Sequence, residues 1–208
     1  MWWKILIVTV GAYFLGSVNP AFLLGKALKG KDLTSEGTKN PGAANTWREV
    51  GKFWGIMVGV IDALKAVIPL AIGDALGFPG WVAVPIVAAA MAGHNWSIFL
   101  GGKGGAGLSI VFGSFLYLIP KEFAIAFGAF VVVFLVTRLS ATWRKYLPPM
   151  WGATIFFFIV MLCLVFAWQE RWYIILLVGV TALMMMAKRI VDALQHVMSL
   201  LRERRAQS

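Results

Sequence analysis

From Met150 to Trp168 the chain carries no charged residue, a run long enough to cross a lipid bilayer. No soluble fold of 208 residues could hide several runs of this kind, and the rest of the sequence supplies them. Apolar segments fall near 3–25, 53–74, 81–100, 106–119, 123–137, 150–168 and 172–187, separated by short charged stretches. Mean hydropathy is +0.81, and only 13% of the residues are charged. The expected fold class is therefore all-α, a single polytopic membrane domain over 1–208 with about seven transmembrane helices.

An odd number of spans puts the termini on opposite sides. The loops that share a face with the C-terminus collect Lys26, Lys29, Lys31, Lys39, Arg48, Lys52, Lys103, Arg138, Arg144 and Lys145, together with the basic tail 189–208. The opposite face keeps Lys4, Lys121 and Arg171. The positive-inside rule then expects the N-terminus outside and the C-terminus in the cytoplasm. The net charge of +10 marks orientation rather than nucleic acid, which is not expected as a partner. The opening MWWKILIVTV lacks a small-residue cleavage site and reads as a retained helix. Cys163, the single cysteine, excludes a disulfide and reads as a small buried hydrophobe.

Three polar stretches interrupt this pattern on one face. In GSVNPAFLLGK, residues 16–26, Asn19 and Pro20 break an apolar helix and free a carbonyl. In TSEGTKNPGAANTWREVGK, residues 34–52, Asn40, Pro41 and Gly42 make a turn, and Asn45 and Arg48 stand three apart, on one face of any helix. In GHNWSIFLGGKGGAG, residues 93–107, Gly101, Gly102, Gly104 and Gly105 surround Lys103. The last run fits GxGxxG formally, but it joins two spans rather than a strand and a helix, so the dinucleotide reading fails. Its physics remains that of a phosphate seat: flexible backbone N–H groups, a following helix N-terminus and one ammonium charge. The segment 106–119 is short, about 21 Å of helix, so the glycine loop is expected to dip into the protein.

Asp62 and Lys65, three apart in the second span, are expected to form a structural ion pair that shields both from lipid. Two histidines, His94 and His196, without clustered carboxylates give no metal centre. A His-x4-Asp acyltransferase pair is excluded, because Phe99 and Leu201 stand five residues after the histidines.

These stretches, in this order, resemble the bacterial integral-membrane glycerol-3-phosphate acyltransferases that use acyl phosphate as donor. YFLGSVNPAFLLGK with Asp32 is similar to the family's first motif, KNPGAANTWREVG to its Asn-Pro-Gly-Ala-Thr-Asn motif, and AGHNW with the Gly-Lys-Gly run to its third. The resemblance implies seven spans, an outside N-terminus and an inner-membrane enzyme with its active site facing the cytoplasm. It implies transfer of a fatty acyl group from acyl phosphate to the 1-hydroxyl of glycerol 3-phosphate, giving lysophosphatidic acid and phosphate, with no cofactor. Membrane lipids and the enzyme that makes acyl phosphate are the implied partners. On this reading Lys103, Ser17, Asn19, His94 and Asn95 form the catalytic set. Gly101, Gly102, Gly104, Gly105, Asn40, Gly42, Asn45 and Arg48 hold the substrate phosphates, and Ser140 and Arg138 fall near a further family stretch.

The chain departs from that pattern at several places. Ser97 replaces proline, Thr34 arginine, Lys39 glycine and Ala44 threonine, and AKRIVDALQH stands where the family has His-Arg-x-Asn-Ile. Lys103 matches the first lysine of the third motif if no gap is allowed, and the second if two residues are deleted. Two other functions stay open: a non-catalytic or substrate-shifted relative that binds a phosphorylated lipid precursor, and a small anion transporter, which would carry an inverted repeat not detectable here.

Overall fold

The computed structural model of the chain describes residues 1–139, 154–155, 157–161, 164 and 172–207. Most of those residues are helical, and the rest lie in turns and irregular connections. Among the described residues the α-helices are, in order, α1 (Trp2–Ser17), α2 (Pro20–Lys29), α3 (Ala43–Glu49), α4 (Lys52–Ala75), α5 (Ala83–Asn95), α6 (Leu108–Leu118), α7 (Pro120–Leu139) and α8 (Trp172–Gln207), with further helical residues within 154–164. Most of the expected span 150–168, with Cys163, lies outside the described residues, as do Ser140 and the side chain of His196.

Among the described residues, five segments are long and apolar enough to cross a membrane: Trp2–Lys29, Lys52–Ala75, Gly80–Leu100, Pro120–Leu139 and Trp172–Gln195. The chain is an all-α integral membrane protein. Helix α6, at 11 residues, spans only about 16 Å, shorter than the hydrocarbon core. The expected span 3–25 is not one helix but two. Val18 and Asn19 are extended, the Asn19 side chain caps α2 by accepting from Phe22 N–H at 2.8 Å, and Pro20 takes the first helical position, where no donor is needed. Gly30, at φ 64°, ends α2.

In lipid, helices associate through close packing rather than a hydrophobic drive. Helix α1 lies directly on α5: a Cβ at Gly16 would stand 2.1 Å from the Ala90 carbonyl oxygen, and one at Gly93 would stand 2.0 Å from that of Tyr13. Helix α4 packs on α3 and α6, and α8 packs on α5. Ile86, Val87, Ala90, Met91, Ile110, Phe115, Phe157, Ile174 and Leu177 form the buried core. Trp2, Phe53, Val132, Leu139 and Leu183 are exposed on the outside, the side that lipid would cover. Helix α8 runs unbroken through the expected basic tail to Gln207. One end of the bundle gathers the α1–α2 break, the end of α5 and the start of α6, and all three polar stretches meet there.

Candidate active site

The break between α1 and α2 frees three successive carbonyls, and each finds a donor from another element. Lys65 Nζ, on α4, donates to Gly16 O at 3.4 Å and to Val18 O, while Ser97 Oγ donates to Ser17 O at 2.6 Å. Lys65 Nζ is also 2.7 Å from Asp62 Oδ1, and His94 Nδ1 is 3.5 Å from the same oxygen. All three charged or titratable side chains are at most 3% exposed. The pair neutralises Asp62, and the lysine doubles as a C-terminal cap for α1, where a helix favours positive charge.

Beyond the break, Asn19 Nδ2 donates to Pro41 O at 3.0 Å, tying the first stretch to the second. Asp32, just before the second stretch and bonded to its Thr34, lies 3.9 Å from Lys26 of the first stretch and within the field of Lys103 of the third. The Asp32 carboxyl is held below the usual carboxylate range, first by the Thr34 hydroxyl at 2.7 Å, then by the Thr34 N–H at 2.9 Å and by the Lys26 and Lys103 charges. Thr34, where arginine was the expected family residue, is thus the clamp on Asp32. Lys31 is bonded to Glu49 at 2.6 Å, and that bond raises its pKa. Lys39 occupies the left-handed region at φ 57°, a conformation that glycine, the residue expected there by resemblance, adopts without strain.

The glycine run is folded back on the end of α5. A Cβ at Gly104 would meet His94 O at 2.1 Å and Asn95 O at 2.6 Å; one at Gly105 would meet His94 Nε2 at 2.2 Å. These glycines therefore serve close backbone approach. Their N–H groups do not all converge on an anion: Gly102 donates to Ser97 O at 2.8 Å, Lys103 to Leu100 O at 3.2 Å and Gly105 to His94 O at 3.0 Å. The N–H groups without an acceptor among the described residues are those of Gly101, Gly104 and Ala106–Ile110, the last three of which are the first turn of α6. The candidate phosphate seat moves accordingly, from Gly101–Gly105 to the entry of α6. Asn95, fully buried, points both amide atoms at no partner, and its Oδ1 stands 2.9 Å from where a Gly107 Cβ would be, at that same entry. Unpaired buried amides are rare, and here one lies beside unpaired N–H groups. Lys103 is exposed at the rim.

Other expected site residues are already engaged. Asn45 is 1% exposed and holds its own loop: Nδ2 donates to Leu33 O and Glu36 O at 3.2 and 3.0 Å, and Oδ1 accepts from Thr38 N–H at 3.0 Å. Both amide donors of Asn45 are thus engaged within its own loop. Ser17 Oγ donates to Tyr13 O at 2.9 Å, and Asn19 is committed at both ends of its amide; both are joints of the break. Asn40 Oδ1 is buried without a partner. Gly42 is extended at φ −142°, and a Cβ added there would meet only Asn40 Oδ1, at 3.7 Å. Arg48 does not share a use with Asn45: it is exposed and lines an open groove of about 770 Å³ with Ala43, Ala44, Trp47, Ile56, Phe134 and Arg138, which the glycine run does not line. No described serine hydroxyl is bonded to a histidine.

The sequence pattern described as glycerol-3-phosphate acyltransferase matches residues 6–199. The chain belongs to the glycerol-3-phosphate acyltransferase family. Glycerol-3-phosphate acyltransferase 2 of Moorella thermoacetica is 41% identical over 140 residues, 66% of this chain and 69% of that one. The glycerol-3-phosphate acyltransferase of Prochlorococcus marinus is 32% identical over 177 residues, 80% of this chain and 90% of the other. The crystal structure of PlsY, an integral membrane glycerol 3-phosphate acyltransferase, in its glycerol 3-phosphate form superposes with a TM-score of 0.79 at 26% identity, covering 94% of this chain and 93% of that one. As in any member of a glycerol-3-phosphate acyltransferase family, two jobs fall to the site: holding phosphate and orienting a hydroxyl toward an acyl carbon.

What sequence reasoning missed was the use of Lys65 and Ser97. The Asp62–Lys65 spacing suggested a pair closed on itself, and nothing local to either residue reveals a carbonyl 47 or 49 positions away. At Ser97 the signal was present: a hydroxyl standing in a stretch where the resembled family has proline.

Proposed function

We propose that the chain transfers a fatty acyl group from acyl phosphate to the 1-hydroxyl of glycerol 3-phosphate, releasing lysophosphatidic acid and orthophosphate at the cytoplasmic face of the inner membrane. The family match over residues 6–199 carries this reading. The solved relative in its glycerol 3-phosphate form supports the acceptor. The hydroxyl oxygen forms the new ester bond to the acyl carbon, the bond from that carbon to the phosphate oxygen breaks, and the hydroxyl proton ends on the departing phosphate. An acyl phosphate is already activated, so orientation and charge stabilisation suffice. The engaged hydroxyls of Ser17 and Ser97 agree with direct transfer rather than an acyl-enzyme.

In this scheme the free N–H groups at the entry of α6, with Asn95 and Lys103, hold one phosphate. Arg48, aided by Arg138 across the groove, holds the other end of the substrate pair. The apolar part of that groove, Trp47, Ile56 and Phe134, suits a hydrocarbon chain. Seven spans, with the N-terminus outside and the C-terminus inside, complete the proposal, on the strength of the lysine and arginine asymmetry. Purified protein given acyl phosphate should release phosphate in proportion to added glycerol 3-phosphate, and Lys103→Ala should lower that rate. Release that ignores the acceptor, from a well-folded preparation, would favour a binding or transport role.

A further inference from the structure

Of the cavities and clusters outside the proposed chemistry, the α1–α2 break holds the densest set of unexplained bonds. Carbonyls 16, 17 and 18 are freed inside Trp2–Lys29, a segment apolar enough to cross a membrane, and within lipid a freed carbonyl needs a protein donor. They could have been satisfied from one element. Instead Lys65 reaches the outer two from α4, and Ser97 reaches the middle one from the turn that precedes the glycine run.

Ser97 is 1% exposed and bonded through every polar atom it has. Its N–H donates to Lys103 O at 3.2 Å, and its carbonyl accepts from Leu100 N–H at 3.2 Å and Gly102 N–H at 2.8 Å. Residues 97–103 thus close into a ring with Ser97 at the root and Lys103 opposite. Its hydroxyl is the ring's direct bond to α1. From Lys103 the chain enters the first turn of α6, where the unpaired N–H groups lie, and Gly105 anchors on His94 O. The ring is therefore tied to the break by the Ser97 hydroxyl, beside the Gly105 bond to the end of α5 and the 3.4 Å bond from the Tyr13 hydroxyl on α1 to Trp96 O.

We infer that Ser97, held in register with Lys65 on the same three carbonyls, is a positioning residue that sets where the glycine loop and the entry of α6 stand for phosphate binding. Ser97 touches no reacting atom. The inference rests on the reading that this loop holds a substrate phosphate. Position 97 has φ −63° and ψ 126°, which a proline could also adopt. A proline there would keep the backbone angle and lose both the N–H bond to Lys103 and the hydroxyl bond to Ser17. Two causes, chain stiffness and hydrogen bonding, can thus be separated at a single position.

The experiment compares the full-length protein with Ser97→Ala, Ser97→Thr and Ser97→Pro. Three readouts are taken: melting temperature in detergent, KM and kcat for acyl phosphate and glycerol 3-phosphate, and Kd for orthophosphate alone by titration calorimetry. Ser97→Ala and Ser97→Pro are expected to raise the orthophosphate Kd and the KM of one phosphorylated substrate roughly 2- to 12-fold, the range of one neutral hydrogen bond. Their kcat stays within about twofold and their melting temperature within about 4 °C of the parent protein; Ser97→Thr, which keeps the hydroxyl, restores both constants. Unchanged Kd and KM in Ser97→Ala would overturn the inference, as would a fall confined to kcat and melting temperature that Ser97→Thr does not reverse. Ser97-dependent orthophosphate binding in a protein that transfers no acyl group would support the inference while removing the reaction proposed above.

Discussion

The α1–α2 break and the Arg48 groove carry the same kinds of residue and use them in opposite ways. At the break, Lys65, Asp62, Ser17, Asn19 and Ser97 are buried and committed to protein partners. In the groove, Arg48 and Arg138 have no partner among the described residues and face an open space of about 770 Å³. Polar groups satisfied by one another make a frame, because every bond narrows the positions available. Polar groups left unsatisfied are those that can meet a ligand. The entry of α6 combines the two, since free N–H groups and the unpaired Asn95 sit on a backbone whose place the frame fixes.

Breaking the frame should cost most. Lys65→Met leaves the Asp62 carboxylate buried without its cation, and removing one member of a buried pair costs about 3–5 kcal/mol. The expected result is loss of a folded, monodisperse protein in detergent, partly recovered by adding Asp62→Asn. Gly105→Ala comes next: its Cβ would lie 2.2 Å from His94 Nε2, and overpacking of about 1–3 kcal/mol should lower acyl transfer roughly 5- to 150-fold. Gly101→Ala meets nothing within 4 Å, and only its φ of 60° opposes it, so its cost should stay near 1–2 kcal/mol. A larger loss at 101 than at 105 would show that the loop does not rest on His94.

The groove should respond in binding rather than stability. Arg48→Ala is expected to raise the KM for one phosphorylated substrate roughly 10- to 150-fold, as loss of a charged hydrogen bond does, without lowering the melting temperature. Of the smaller effects, Asp32 supplies one that depends on pH. Its pKa is lowered in the folded protein, so its contribution to stability is present above the ordinary carboxylate range and is lost as the pH falls through the lowered value. Thr34→Val should flatten the acid limb of a melting-temperature profile. Smallest of all, Lys39→Gly relieves the left-handed strain and should leave activity unchanged while shifting stability by about 1 kcal/mol or less.

Much of this frame could be read from the sequence, because its signals are local. The Asn19–Pro20 pair announced a helix break and the apolar runs announced the long helices, whereas the glycine run read as N–H groups free for an anion and gave no sign that it was also pressed against a neighbour. What it pressed against was not local. Glycine tolerates both an anion and a neighbouring carbonyl, and only the fold shows that Gly104 and Gly105 lie on His94 and Asn95, while the N–H groups of the first turn of α6 stay unpaired among the described residues. The partners of Asn45 were hidden for the same reason. An amide looks identical in sequence whether it waits for phosphate or holds Leu33, Glu36 and Thr38. Arg48 three residues later shares its short helix but faces outward, because the remainder of that helix packs on α4.

The most direct test is a structure of this protein with glycerol 3-phosphate or orthophosphate bound. The account predicts phosphorus density within hydrogen-bonding reach of the N–H groups from Ala106 to Ile110, beside Asn95, with the Ser97 bond to Ser17 intact. Density confined to other surfaces, with the entry of α6 closed against protein, would contradict it.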